Sequence, residues 1–455
     1  MTRSDHGTHR TPEHALADGT LLPRLVTPPP GPRSRELSSR LGRVESRNVT
    51  HLGTDFPIFW EAARGANVQD ADGNVYLDLT GAFGVAAAGH SHPRITAAIR
   101  NGAGRLVHGM GDVHPPTAKV ELLERLAALA PWPETRGVLA SSGSEAVEIA
   151  LKTALLATGR PGVLAFTGGY HGLTAGSLAV TSREDFRRPF RSRLYGGVAW
   201  APFPGGREGE EDGAGALTSV RKILADGAQG DPVGAVVVEP IQGRGGVRVP
   251  PPGFLRGVAE AAREAGAVVI FDEIFTGFGR TGTLFAFQSE GVAPDLLCLG
   301  KALGGGLPLS VCLGDRAIMD AWPPSPGEAL HTSTFLGHPL ACMAALAFLD
   351  VLEEEGLVER SRRLGMRLRA RLREGLGTAR PEGTVRGRGL FVGIDAADPA
   401  ESGGGARIML HALRQGVLLL PAGPQGEVVE LSPPLTLTDE QLDAGAAVLL
   451  ELLGE

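Results

Sequence analysis

Through the middle of the chain, short apolar runs alternate with stretches of helical spacing, and this rhythm limits the possible folds more than any other feature. The runs cover residues 137–140, 163–166, 235–238, 267–271 and 296–299, and residues 144–157 and 253–265 read as helices between them. Strands buried on both faces lose the polar alternation of a half-exposed sheet, and strands joined through helices run parallel. The expected fold class is therefore α/β, with a mainly parallel sheet covered on both faces. A hairpin is predicted over residues 67–79, turning at Asp72-Gly73-Asn74, and a helix over residues 117–130, ending at Pro131. After Pro339 a long helical stretch runs to Glu354, a second helix follows, and residues 389–394 read as a strand. A smaller α+β piece is thus expected to close the chain. Residues 1 to about 33 are polar and include Pro28-Pro29-Pro30, which predicts a mobile arm or a segment lying on a partner surface. His6, His9 and His14 in that segment read as solvated side chains, not metal ligands.

Composition excludes several classes of function. With 455 residues, 42% of them hydrophobic and 21% charged, the chain can bury large cores in two or three domains. No apolar run approaches the roughly 18 residues that a membrane helix needs. A net charge of −7 argues against a nucleic-acid face, since phosphate binding needs a positive field. Cys298, Cys312 and Cys342 form no CxxC pair, so neither a disulfide framework nor a zinc site is expected, and no metal is assigned. A reducing cytoplasm is the expected location, and the first residues lack the apolar core of a secretory signal.

In an open parallel sheet, ligands gather at the carboxyl ends of the strands. Here the run 267–271 ends in Asp272-Glu273, the run 235–238 in Glu239-Pro240, and the run 296–299 in Gly300-Lys301. Only four of the 44 basic residues are lysine. Lys119, Lys152 and Lys222 lie in helical patterns with polar neighbours and read as solvated charges. Lys301 instead lies between a buried strand and Ala302-Leu303-Gly304-Gly305-Gly306-Leu307. An amine desolvated among apolar groups has a lowered pKa, the condition for bonding covalently to a carbonyl. The alternative is a lysine paired with Asp295 or another loop acid. Ser141-Ser142-Gly143-Ser144-Glu145 opens a helix after a strand, which suits either a phosphate or an ordinary cap. Gly168-Gly169-Tyr170-His171-Gly172 places a ring and an imidazole in a glycine-rich bend, where the ring can stack on a planar cofactor or simply pack. Gly277-Phe278-Gly279-Arg280-Thr281-Gly282 fits the dinucleotide fingerprint but follows no strand directly and opens no helix, so that reading is rejected. A phosphate nest, an aromatic plate, a strand-end aspartate and a desolvated lysine are together the parts that hold pyridoxal phosphate.

From about Phe56 onward the sequence resembles the class III aminotransferases of the fold type I pyridoxal-phosphate enzymes. The resemblance is carried by Gly89-His90-Ser91-His92-Pro93, Ser142-Gly143-Ser144-Glu145-Ala146, Tyr170-His171-Gly172 and Val238-Glu239-Pro240-Ile241-Gln242-Gly243. It continues through residues 272–282, Gly300-Lys301-Ala302-Leu303-Gly304-Gly305-Gly306 and His331-Thr332-Ser333-Thr334-Phe335. The resemblance implies a large cofactor domain over residues 111–340 with a seven-stranded sheet. It also implies a smaller α+β domain from residues 41–110 and 341–455, after a flexible arm over 1–40. It implies that Lys301 bonds to the cofactor and shuttles a proton, and that Asp272 pairs with the pyridine nitrogen. Tyr170 and Ile274 would sandwich the ring, with His171 among the cofactor contacts and Glu239 behind the ring. Gly143 and Ser144 would hold the phosphate, joined by Thr334 from the other subunit of a homodimer.

The implied activity is transfer of an amino group between an amino acid or amine and a 2-oxo acid or aldehyde, in two half-reactions. An amino-acid racemase or epimerase on the same scaffold is the alternative, with a decarboxylase and a noncatalytic scaffold behind it. Two departures bear on substrate. Family members that use 2-oxoglutarate carry Glu where this chain has Arg244, and an arginine where it has Glu430. The swap suggests a reversed Arg244–Glu430 pair, with Arg244 free to take a substrate carboxylate. Some members also carry Gln at the Phe275 position, near the cofactor's phenolate oxygen, a role that Phe cannot fill.

Overall fold

The computed structural model describes residues 16–205, 213–377, 383–396 and 403–454. His6, His9 and His14 lie outside these residues. The chain begins its regular strands with β1 (Trp60–Arg64), β2 (Asn67–Asp70) and β3 (Val75–Asp78), an antiparallel meander. The predicted hairpin is β2–β3, and Asp70 ties its turn by accepting from the Asp72 and Asn74 amides at 3.0 and 2.9 Å.

The central sheet contains β4 (Thr135–Ala140), β5 (Gly162–Phe166), β6 (Val198–Ala201), β7 (Val233–Val238), β8 (Val268–Asp272), β9 (Leu296–Leu299) and β10 (Ser310–Asp315). Its order is β4-β10-β9-β8-β7-β5-β6. Strand β10 runs opposite to the other six, pairing antiparallel with both β4 and β9. The reason is its connection: β9 reaches β10 through the one-turn helix Lys301–Gly304 and a short loop, with no crossover helix to reverse direction. Strands β5, β7 and β8 are buried along their whole length, as apolar runs without alternation require.

The chain closes with β11 (Val385–Arg388), β12 (Phe391–Asp395), β13 (Val417–Leu418), β14 (Leu420–Ala422) and β15 (Val428–Leu431). β11, β12, β15 and β14 form one small sheet, while β13 adds parallel to β3 and joins the two ends of the chain in another. The expected architecture of a mainly parallel seven-stranded sheet with a separate smaller α+β part is what the structure shows.

The described part of the expected arm is seated on the first small sheet. Backbone groups of Arg24 and Val75 exchange two bonds of 2.8 Å. The Leu21 amide donates to Asn67 Oδ1 at 2.8 Å, and the Val26 amide to Asn74 Oδ1 at 2.8 Å. Two buried asparagines in the hairpin thus capture backbone that composition marks as free. The helix Pro32–Val44 follows, its start held by the Asp72 carboxylate.

Candidate active site

A cavity of about 540 Å³ opens at the carboxyl ends of the central strands, lined among others by Gly143, Ser144, Tyr170, His171, Glu239, Arg244, Asp272, Ile274 and Lys301. Residues scattered over more than a hundred positions meet there because parallel strands all end on one edge.

Asp272 ends β8 on the cavity floor, only 5% exposed. Its Oδ2 lies 2.8 Å from His171 Nδ1, and its Oδ1 accepts the Ile274 amide at 3.1 Å. Burial opposes charge on His171, but the hydrogen bond and charge of Asp272 outweigh it and raise the imidazole's pKa. Glu239, after β7, accepts the amides of Tyr170 (2.9 Å) and Gly243 (3.1 Å). Burial pushes its pKa up to about 7, against the pull of His171.

Lys301 sits in the left-handed region at φ 45°, one of few non-glycine residues to do so. Desolvation lowers its pKa to about 8, with the charges of Asp272, Glu430 and Glu239 resisting. The alternative partner, Asp295, is engaged elsewhere, by Arg263 at 3.0 Å and the Val269 amide at 2.8 Å. Lys152 and Lys222 are exposed as expected. Lys119 is not: its amine donates to the Gly111 carbonyl at 2.7 Å and burial lowers its pKa, because its stem packs over Gly337.

The helix Gly143–Thr158 shows that cap and anion site coexist. Ser142 Oγ accepts the Glu145 amide, and Glu145 Oε2 accepts the Ser141 and Ser142 amides at 2.7 and 3.1 Å. The amides of Gly143 and Ser144 take no acceptor among the described residues, so they stay available at the positive end of the helix. A Cβ on Gly143 would come within 2.8 Å of Ile274 Cδ1, so a larger residue there would push the Ile274 side chain aside. A free pair of amides, a carboxylate floor and a low-pKa amine around one cavity fit pyridoxal phosphate.

Thr334, expected to reach the site of the other subunit and not its own, is exposed and does not line this chain's cavity. The reversed Arg244–Glu430 ion pair does not form among the described residues. Arg244 lines the cavity, whereas Glu430 is 2% exposed within β15 and reaches only Ser432 Oγ at 3.4 Å. Burial raises the Glu430 pKa, against the charges of Lys301, Arg244 and Arg280. Arg280, from the rejected fingerprint, is fully buried and donates to the Leu390 carbonyl at 3.2 Å and the Pro433 carbonyl at 2.5 Å.

Sequence reasoning missed Phe83. Residues Gly81, Ala82, Phe83 and Gly84 all have positive φ, from 50° to 77°, a left-handed turn. For Ala82 and Phe83 this costs on the order of 1–3 kcal/mol each. Thr80 anchors the turn by accepting the Ala82 amide at 3.1 Å while donating to Asp78 at 2.6 Å. Phe83 is thereby presented at the cavity, 52% exposed. The paired glycines at 81 and 84 were the signal.

The family model for class-III aminotransferases matches residues 49–453. The chain belongs to the class III aminotransferases. This aminotransferase is 37% identical over 431 residues to a 5-aminovalerate aminotransferase of Pseudomonas aeruginosa, covering 93% of this chain and 99% of the relative. It is 34% identical over 451 residues to a 4-aminobutyrate aminotransferase of Mycobacterium leprae, covering 95% and 98%. Among solved structures, the ornithine aminotransferase from Toxoplasma gondii superimposes with a TM-score of 0.81 at 29% identity, covering 98% of each chain. An omega transaminase from Pseudomonas jessenii in complex with PMP gives 0.83 at 27% identity, covering 92% and 97%. The enzyme is a pyridoxal-phosphate-dependent aminotransferase, and these relatives lend no support to the isomerase alternative.

Proposed function

We propose that this aminotransferase works through Lys301 and Asp272, and that its amino-group donor or acceptor carries a carboxylate bound by Arg244. The observation that carries the reading is that the Lys301 amine and the Asp272 carboxylate line one cavity, with Arg244 on its wall. When bound, pyridoxal phosphate supplies a carbonyl that takes up the amino group and a ring that accepts electrons from the substrate carbon.

The chain's own groups do the rest. Lys301 Nζ, with a pKa near 8, is partly neutral at physiological pH and can accept and return the proton at the substrate carbon. Asp272, fixed by His171 and the Ile274 amide, would place its carboxyl group against the pyridine nitrogen. Tyr170 and Ile274 would bracket the ring, and the free amides of Gly143 and Ser144 would bind the phosphate. Thr334, exposed in this chain, would complete the phosphate site of a second copy in a homodimer. The mouth of the site fits that reading, since Phe83 and Leu173 on its lining stay half exposed. In the same reading residues 111–340 form the cofactor domain and both chain ends the smaller one. Three buried free thiols suit a reducing cytoplasm. The 5-aminovalerate and 4-aminobutyrate enzymes among the relatives act on amines that also bear a carboxylate, which favours such substrates here.

The deciding experiment is Lys301→Ala. The variant should lose the visible absorbance of attached cofactor and at least ~10³-fold of its transamination rate. Retained absorbance would sink the assignment.

A further inference from the structure

The Lys301 amine lies against an aromatic ring. Lys301 Nζ lies 3.8 Å from the centroid of Phe275. Asp272, Glu430 and Glu239 attract the amine's charge and Arg244 repels it, and none of the three carboxylates forms an ion pair with it among the described residues.

The ring is itself held in place. Phe275 stacks on Phe391 of β12, centroids 4.6 Å apart and planes at 17°. Phe391 is fully buried in a small cluster with Ile241 and Val247. A Cβ on Gly84 would lie 3.0 Å from Phe275 Cε1, and one on Gly243 would lie 3.4 Å from Phe275 Cδ2 and 3.2 Å from Phe391 Cζ. The two glycines thus leave room for the ring pair and close it in from separate segments. Residue 275 comes from the loop after β8, 391 from β12, 84 from the left-handed turn and 243 from the loop after β7, so four parts of the chain build one platform.

We propose that Phe275 is a positioning residue whose ring face holds the Lys301 ammonium whenever that lysine is not bonded to the cofactor. This rests on the assignment of Lys301 as the cofactor-bearing residue. The negative face of the ring attracts the ammonium and holds the neutral amine far less strongly. It therefore opposes part of the desolvation that lowers the pKa to about 8. A carboxylate in contact would fix the amine in its charged form. A π face orients it yet cannot take its proton, so deprotonation leaves the amine free to swing back to a carbonyl.

The test uses full-length enzyme stripped of cofactor and mixed with pyridoxal phosphate between about pH 6 and pH 10, with the visible absorbance of attached cofactor as readout. Attachment needs the neutral amine, so its rate midpoint reports Lys301. Phe275→Met keeps an apolar side chain of adaptable shape and removes the π face, and its midpoint should fall by about one unit. Phe275→Tyr keeps the ring and should keep the midpoint. An unmoved midpoint in Phe275→Met, or an equal shift in Phe275→Tyr, overturns the proposal. Should Phe275→Met not fold, Phe391→Leu removes the ring behind and should shift the midpoint in the same direction by less, and no shift there overturns it too. Lys301→Ala separates the two claims: attachment in that variant removes the Lys301 assignment. Its loss, with an unmoved Phe275→Met midpoint, removes only the role of the ring.

Discussion

The floor and the outer wall of the active-site cavity are built on different terms. On the floor, both oxygens of Asp272 and both of Glu239 hold a partner, three of the four a backbone amide. On the wall, the Arg244 guanidinium has no hydrogen-bond partner among the described residues, and Phe83 stands on a strained turn, half exposed. Behind it Glu430 has one hydroxyl at 3.4 Å. Groups that are already satisfied keep their geometry whatever binds, which suits a resident cofactor. A charge left without a partner gains most when a ligand supplies one, which suits an exchanging substrate. If Arg244 binds substrate as proposed, the wall and not the floor would set the specificity of this enzyme.

Asp272→Asn should have the largest effect. If the floor works by a fixed charge, kcat/KM should fall by roughly 10²–10³-fold in steady-state assays while the fold and cofactor binding persist. A fall of only a few-fold would mean that the floor is not preorganised by charge. Arg244→Ala probes the wall and should act more mildly. KM for substrates with a carboxylate should rise about 10–100-fold, as for a lost charged hydrogen bond, and amines without one should be unaffected. An unchanged KM and kcat for every substrate would remove Arg244 from recognition.

The smallest expected effect concerns stability. Burial raises the Glu239 pKa from 4.5 to about 7, so the fold favours its protonated form. That contribution to stability is complete below about pH 4.5 and is lost as pH rises through about 7. Calorimetry should show Tm falling over this window, with a shallower fall in Glu239→Gln. Some slope should survive, because buried Glu273 is raised to about 7 as well. An identical slope in both proteins would mean that Glu239 does not titrate there.

Much of the floor was legible in the sequence because each part has a local signature. β9 spans the predicted 296–299, and the predicted 144–157 helix appears as Gly143–Thr158. Strand-end acids and a lysine after a buried strand are visible without knowing their neighbours. The wall was not legible in the same way. Swapped charges at 244 and 430 suggested an ion pair, but whether two side chains meet depends on where a loop after β7 and a strand in another sheet come to rest. The seat of the segment around Arg24 was hidden for a similar reason, since asparagines at 67 and 74 supply its hydrogen bonds from the hairpin.

The α/β rhythm, the edge at which polar residues gather and a lysine directly after a buried strand can be read along the chain, because periodicity, strand length and local polarity are properties of neighbouring residues; the burial of Lys119 could not. The packing of distant segments decides that β10 runs antiparallel, that Arg244 and Glu430 form no ion pair, and that the Lys301 amine rests on the Phe275 ring. Those are contacts between distant residues. Their distances are set by how sheets and loops pack, which no local pattern encodes.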